Sequence, residues 1–325
     1  MKARVAQLQR TGGPEVIEWR DVDLPAPASD EVTVRHEAVG LNFIDVYHRN
    51  GTYPVAFPAG LGFEAAGVVE AVGDGVTRLA SGDRVGSFTG VRGAYATARN
   101  VSADDLVKLP DGVDATVAAA LMLKGCTAEF LIERCAKVES GQTVLVHAAA
   151  GGVGHLLVGW LKAIGATVIG TVGNAQKAAL AREAGADHVI EYRREDVATR
   201  VCALTGGEGV PVILDGVGKD SWPVSLASAA RRGLIVSYGD ASGTIEGVNL
   251  GVLAARGSLF VTRPTLFDYC VTRPEKQASV DRVFAMLASG AIRPEIGRTY
   301  ALEDAAEAHR ALEAGETQGS TVLLA

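Results

Sequence analysis

The sequence predicts an α/β protein in which a doubly wound parallel sheet is joined to a β-rich domain. Three observations carry this expectation. Six short apolar runs alternate with helical stretches between about residues 114 and 263. The first run leads into a glycine turn that opens a helix, "VHAAAGGVGHLLVGWLKA". Residues before about 114 are strand-rich instead, with Gly and Pro as punctuation. At 325 residues the chain is long for one core, so two domains are expected.

Each element follows from its pattern. "EVTVRHEAV" alternates apolar and polar residues, as a half-buried strand does. "GFEAAGVVEAVGDGVTRLASGDRVGSF" reads as strand, turn, strand. At Asp114, a plausible N-cap, apolar residues switch to helical spacing in "DATVAAALMLKGCTAEFLIERCAKV". The six apolar strands are Thr143–Ala149, Thr167–Val172, His188–Tyr192, Val212–Asp215, Leu234–Tyr238 and Ser258–Thr262. They are continuously apolar, which implies burial on both faces and hence a parallel sheet. Helical connections between them make the fold doubly wound. After Pro264 come helices in "EKQASVDRVFAMLASG" and "LEDAAEAHRALEAG". The closing strand "TVLLA" lies outside the alternating series and is placed to return to the first domain.

Bulk properties exclude several classes. The net charge of −7 argues against a nucleic-acid footprint and a polybasic membrane patch. No apolar run is expected to be long enough to span a bilayer, and charges interrupt all of them. The start "MKARVAQLQR" lacks a signal-peptide core, so a cytoplasmic location is expected. Cys126, Cys135, Cys202 and Cys270 form no C-x-x-C pair and read as free, mostly buried thiols.

The glycine turn carries the first chemistry. After the strand come Ala149, Ala150, Gly151, Gly152, Val153 and Gly154, the pattern A-x-G-x-x-G. A pyrophosphate approaches backbone only where no Cβ intrudes, which is the task of Gly151. Gly154 lets helix and strand pack closely, and the helix N-terminus offers N–H groups and positive potential. Strand before, helix after and a six-strand series around it are the context this motif needs. About 20 residues on, a site for an unphosphorylated ribose carries an acid. Here stand Gly173 and Asn174, then Lys177. An acid would repel a 2′-phosphate, whereas glycine leaves room and lysine attracts it. Tyr192, at the end of the third strand, can lend a hydroxyl. The residues therefore point to NADPH rather than NADH.

The segments "HAAAGGVG", "GTVGNAQK", "NFIDVYHRNGTYP", "GLGFEAAGVVEAVGDGV", "GDRV" and "VTRPT" together resemble the zinc-independent quinone oxidoreductases, zeta-crystallin-type members of the medium-chain dehydrogenase/reductase superfamily. The resemblance runs over essentially the whole chain. It implies a GroES-like catalytic domain from residues 1–123 and 264–325, a Rossmann NADPH-binding domain at 124–263, a homodimer, and NADPH-dependent reduction of quinones. It also implies roles by position. Asn42, Phe43, Ile44 and Asp45, with Tyr47 close by, match the family's segment beside the nicotinamide, and Thr127 matches a residue near the cofactor amide. Gly152 and Val153 match the phosphate turn, and Gly173, Lys177 and Tyr192 the 2′-phosphate pocket. Tyr238, Gly239, Val261, Thr262 and Arg263 match the far side of the cleft, and Gln318 and Gly319 a late loop. One departure is Gly216, where many relatives carry Ser, which is expected to loosen a cofactor contact.

No metal is expected. Zinc alcohol dehydrogenases of the same superfamily take a Cys and a His where this chain has Asn42 and Phe63. Phe has no donor atom, and an amide is a poor zinc ligand beside thiolate and imidazole. Without a Lewis acid, the favoured acceptor is one that takes hydride unaided: a quinone, or an alkene conjugated to a carbonyl. Asn42 and Asp45 are expected to fix the nicotinamide edge or the acceptor oxygen, with turn amide and helix cap as their bland alternatives. Tyr47 and Tyr53 are candidates to hydrogen-bond a developing oxyanion, or else half-buried tyrosines of the barrel. Glu64 reads as a buried ion-pair partner. The competing functions are reduction of α,β-unsaturated ketones or enoyl thioesters, and non-catalytic NADPH binding.

Overall fold

A computed structural model describes residues 1–325. The chain divides into two compact units. One comprises Met1–Lys124, Cys270–Phe284 and Pro294–Ala325, the other Gly125–Tyr269 and Ala285–Arg293.

The β-rich unit opens with β1 (Lys2–Leu8), β2 (Glu18–Asp23) and β3 (Glu31–Leu41), then helix α1 (Phe43–Asn50). It continues with β4 (Ala59–Gly60), β5 (Glu64–Val72), β6 (Arg84–Phe88), β7 (Ala98–Ser102) and β8 (Leu106–Lys108). Helix α2 (Ala115–Glu129) runs from this unit into the next and ends in a π-helical turn, Phe130–Cys135.

The second unit contains β9 (Thr143–Val146), α3 (Gly152–Ala163), β10 (Thr167–Val172), α4 (Ala175–Glu183), β11 (His188–Glu191) and α5 (Val197–Leu204). It then adds β12 (Val210–Asp215), α6 (Trp222–Ser228), β13 (Ala229–Ser237), α7 (Gly251–Ala255), β14 (Phe260–Thr262) and α8 (Leu266–Tyr269). The chain closes with α9 (Arg273–Ala288), β15 (Ile296–Ala301), α10 (Ala305–Glu313) and β16 (Ser320–Leu324).

In the second unit all strand pairs are parallel, in the order β11-β10-β9-β12-β13-β14. Leu145, Ile169, Ile213 and Ile235 form the buried centre between sheet and helices. The order reverses between β9 and β12, where such sheets open a crevice at the strands' carboxyl ends. The first strand stops at Val146 rather than the expected Ala149. Ala148 adopts φ +52°, which takes the chain out of the ladder and into the glycine turn.

In the β-rich unit, β2-β1-β4 form a small antiparallel sheet, and β15-β16-β3-β5-β6-β8 form a larger one, with β7 also on β3. The closing strand β16 pairs with β3, Val322 opposite Gly40, so the chain's end completes the sheet begun near its start. Leu8, Val39, Leu61, Tyr95, Leu302 and Leu323 share one apolar cluster of this unit.

One expectation needs correction. The segment Ala115–Cys135 is long and apolar enough to cross a membrane by length and composition. It is a core helix here, 83% buried over its most apolar window. Its internal Lys124 is buried against Glu64 rather than exposed.

Candidate active site

The glycine turn shows why its residues are small. A Cβ on Gly154 would stand 2.1 Å from the Ala148 carbonyl oxygen, so only glycine lets α3 start this close to β9. Gly151 is different: a Cβ there would meet only the Ala148 oxygen, at 3.3 Å. Packing alone therefore does not demand a bare backbone at 151. Gly151 is the N-cap of α3, a helix of 12 residues, and Gly152 and Val153 are its first residues. The N–H groups of its first turn have no partners within the helix and are available to an anion. Ala150 is buried beneath the turn.

At the end of β10, the missing acid has a steric reason as well as an electrostatic one. A Cβ on Gly173 would lie 2.9 Å from the Tyr192 hydroxyl. A carboxylate there would displace Tyr192, which is exposed at the end of β11. Asn174 caps α4, its side chain accepting from the Lys177 N–H at 2.9 Å. Lys177 is half-buried. Burial lowers its ammonium pKa, and the nearby Arg193 charge lowers it further. Two cations, a tyrosine hydroxyl and a glycine thus share this corner. Arg193 escaped the sequence reading because it lies outside the motif, one residue past Tyr192.

The loops after β12 and β13 form a second tight pair. A Cβ on Gly239 would sit 2.4 Å from the Gly216 oxygen, and one on Gly216 would meet the Tyr238 ring at 2.8 Å. The Tyr238 ring thus takes up the space that a side chain at 216 would need. Arg263 follows β14, to which Val261 and Thr262 belong. Its guanidinium donates to the Ser237 oxygen at 2.8 Å and pairs with Asp240, bracing the loop that carries Tyr238 and Gly239. Thr127 is buried on α2.

The β-rich unit gathers the other candidates. Asn42 caps α1, and its amide donates to the Glu64 carboxylate at 3.0 Å and the Gly40 oxygen at 3.2 Å. Glu64 is fully buried and also accepts from the Leu123 N–H at 2.6 Å and from Lys124 at 3.3 Å. Gly40 is obligatory, because a Cβ there would stand 2.2 Å from both Glu64 and the Ala119 oxygen. The bland reading of Glu64 as an ion-pair partner understates it: this carboxylate orients Asn42. Lys124, a lone lysine in an apolar helix, was the sequence signal for that pairing.

Asp45 needs correction. It was expected at the nicotinamide edge or acceptor oxygen, but its side chain is fully buried. It accepts from the Asn42 N–H at 2.9 Å and the Tyr95 hydroxyl at 3.1 Å. The helix-cap alternative describes these contacts. Burial pushes its pKa up to about 7, against the hydrogen bonds from Asn42 and Tyr95 that oppose the rise. Tyr47 is nearly buried, its ring 5.1 Å from that of Tyr53 and 6.0 Å from Phe43. Gln318 precedes Gly319, whose φ of +56° and close approach to the Glu295 oxygen require glycine.

Asn42 and Phe63, which the sequence resemblance sets at zinc-ligand positions, are both buried. No group of three His, Cys, Asp or Glu side chains is placed to hold a metal ion.

Sequence comparison matches residues 28–111 to the alcohol dehydrogenase GroES-like domain and residues 152–286 to the zinc-binding dehydrogenase family. A quinone oxidoreductase of Pseudomonas aeruginosa is 51% identical over 99% of both chains. A 2-haloacrylate reductase from a Burkholderia species is 41% identical over 98% of both. The crystal structure of an Escherichia coli quinone oxidoreductase complexed with NADPH superposes with a TM-score of 0.97. It is 44% identical, with 99% of this chain and 100% of that one covered.

Proposed function

The chain belongs to the quinone oxidoreductase family of the medium-chain dehydrogenase/reductase superfamily, and from that premise we propose that it is an NADPH-dependent quinone reductase working without a metal. The observation that carries the cofactor choice is the end of β10: Gly173, Tyr192, Lys177 and Arg193 offer room, a hydroxyl and two positive charges, and no carboxylate. The backbone of Gly151–Gly154 and the start of α3 hold the pyrophosphate.

NADPH, when bound, supplies the hydride. The protein supplies position. Glu64 and Lys124 hold the Asn42 amide in one orientation, toward the nicotinamide edge or the acceptor oxygen. Tyr47 and Tyr53 donate to the acceptor oxygen as charge develops on it. The unit of Met1–Lys124, Cys270–Phe284 and Pro294–Ala325 acts as the catalytic domain, where 1–123 and 264–325 were expected, and the unit of Gly125–Tyr269 and Ala285–Arg293 holds the dinucleotide. With phenylalanine and asparagine where a metal would need thiolate and imidazole, the acceptor must take hydride unaided. A quinone does so. A second reading, reduction of an alkene conjugated to a carbonyl, is favoured by the 2-haloacrylate reductase relative.

We further propose a cytoplasmic homodimer with no membrane or nucleic-acid partner. β14 is an edge strand, paired only with β13, and Phe260 and Val261 on it are exposed at 61% and 40%. Such an edge invites a second copy. Val261→Pro should shift the mass in solution from dimer to monomer, and an unchanged mass would remove this edge as the interface.

The decisive assay follows NADPH oxidation across benzoquinone, naphthoquinone and an enoyl thioester, with NADH and a chelator as controls. Quinone turnover unaffected by the chelator is expected. NADPH binding with no acceptor reduced would make the chain a non-catalytic binder. Lys177→Ala should raise the KM for NADPH much more than that for NADH. Tyr47→Phe should lower kcat with little change in Tm.

A further inference from the structure

Beneath the two glycine turns lies a buried polar chain that motif reading did not reveal. His147, Thr171, Asp215, Ser221 and Ser225 are all at most 7% exposed. The His147 ring contacts the Thr171 hydroxyl through Nδ1 at 3.0 Å and the Ser225 hydroxyl through Nε2 at 3.1 Å. The Ser225 hydroxyl donates to Asp215 at 2.8 Å, and that of Ser221 donates to the same carboxylate at 2.7 Å. Asp215 also accepts the N–H groups of Val217 and Gly218, at 2.9 and 3.2 Å.

Proton counting fixes the direction. A serine hydroxyl has one proton, and that of Ser225 is donated to Asp215. The His147 contact must therefore be Nε2–H donating to Ser225, which leaves Nδ1 to accept from Thr171. Burial lowers the His147 pKa, in keeping with a neutral ring. This is not a nucleophilic triad. The serine gives its proton to the aspartate rather than to the histidine, and it is fully buried.

The chain's two ends sit at the two turns. His147 immediately precedes Ala148, the left-handed residue that starts the phosphate turn. The Asp215 carboxylate holds the turn that places Gly216 against Tyr238 and Gly239. An apolar core would fill this space at less desolvation cost, whereas a matched polar chain specifies one geometry. We propose that Thr171, His147, Ser225 and Asp215 are positioning residues that lock the phosphate turn and the Asp215–Gly218 turn into one arrangement competent for the dinucleotide. This rests on the NADPH reading above.

The test measures Kd for NADPH and NADH by nucleotide fluorescence, with the ring ¹⁵N shifts of His147 as a second readout. Thr171→Val and Ser225→Ala should each raise both Kd values by the same factor, about 10-fold. Thr171→Ser should restore wild-type binding, because it returns the hydroxyl. Lys177→Ala should affect NADPH alone. In the wild type the ring should be the Nε2–H tautomer, and its ¹⁵N shifts should move on saturation with NADPH, a readout that needs no variant to fold. An Nδ1–H tautomer, shifts indifferent to NADPH, or unchanged Kd values in folded Thr171→Val would overturn the proposal. Failure of the wild type to bind either nucleotide would instead sink the cofactor reading itself.

Discussion

Asp215 in the parallel-sheet unit and Asp45 in the β-rich unit are both fully buried carboxylates, yet their surroundings differ. Asp215 receives two backbone N–H groups and two serine hydroxyls. Asp45 receives one N–H and one tyrosine hydroxyl, both on the same oxygen, and its other oxygen meets no donor in the protein. Its neighbours repeat the pattern. Tyr95 reaches His309 at 3.0 Å, but the His309 Nδ1 and two nitrogens of the buried Arg49 find no protein partner. Burial pushes Asp45 up to about 7 and, with the Arg49 charge, His309 down to about 3. The comparison teaches that two equally buried carboxylates can differ in how many donors meet them, and that at Asp45, which has few, desolvation outweighs its hydrogen bonds.

The largest test of that lesson removes a cation. Lys124→Met leaves Glu64 buried beside two neutral donors, and the loss in urea unfolding should be roughly 3–5 kcal/mol. Lys124→Met combined with Glu64→Gln should recover part of it. A small loss from the single change would mean that the Leu123 and Asn42 donors suffice for this carboxylate.

A second test uses pH. The Asp45 pKa is higher folded than unfolded, so between about pH 4 and 7 the folded protein keeps a proton the unfolded chain has released. Its contribution to stability therefore falls as pH rises through that window. His309 pulls the other way, its contribution being lost as pH falls from the unfolded value toward about 3. The difference between wild type and Asp45→Asn isolates the acid. The substitution should improve by roughly 2–4 kcal/mol in relative stability from pH 4 to pH 8. A difference independent of pH would show that Asp45 is ionised throughout.

The smallest effect is expected at Asp215. Ser221→Ala removes one of its four donors and should cost about 1 kcal/mol, read from the urea midpoint at constant slope. A cost matching that of Lys124→Met would break the donor-count argument.

Periodicity and composition carried much of the architecture. The inner strands β10, β9 and β12 were legible because both faces are buried, which leaves runs rich in Val, Ile and Leu, whereas the edge strands β11 and β14 carry exposed residues. Strand ends were less legible. Ala148 looks like strand in the sequence and leaves it because of a backbone angle. The glycine turn was legible as well, since no other residue meets the 2.1 Å approach at Gly154. The Asp45 side chain was misplaced, because a family motif says which residues are near and not which way each one faces. The His147–Ser225 contact joins residues 78 positions apart, and no local pattern signals it.

By itself, the sequence determined the doubly wound sheet, the phosphate turn, the absence of an acid after β10 and the lack of zinc-ligand residue types at 42 and 63. These depend on local spacing and on the chemistry of single side chains. Only the tertiary structure decided that Glu64 orients Asn42, that Asp45 is sealed away, that Arg193 joins Lys177, and that His147 and Asp215 share a proton chain. Those facts depend on which side chains converge from distant segments, and on the cost of burying polar groups unless their donors and acceptors match.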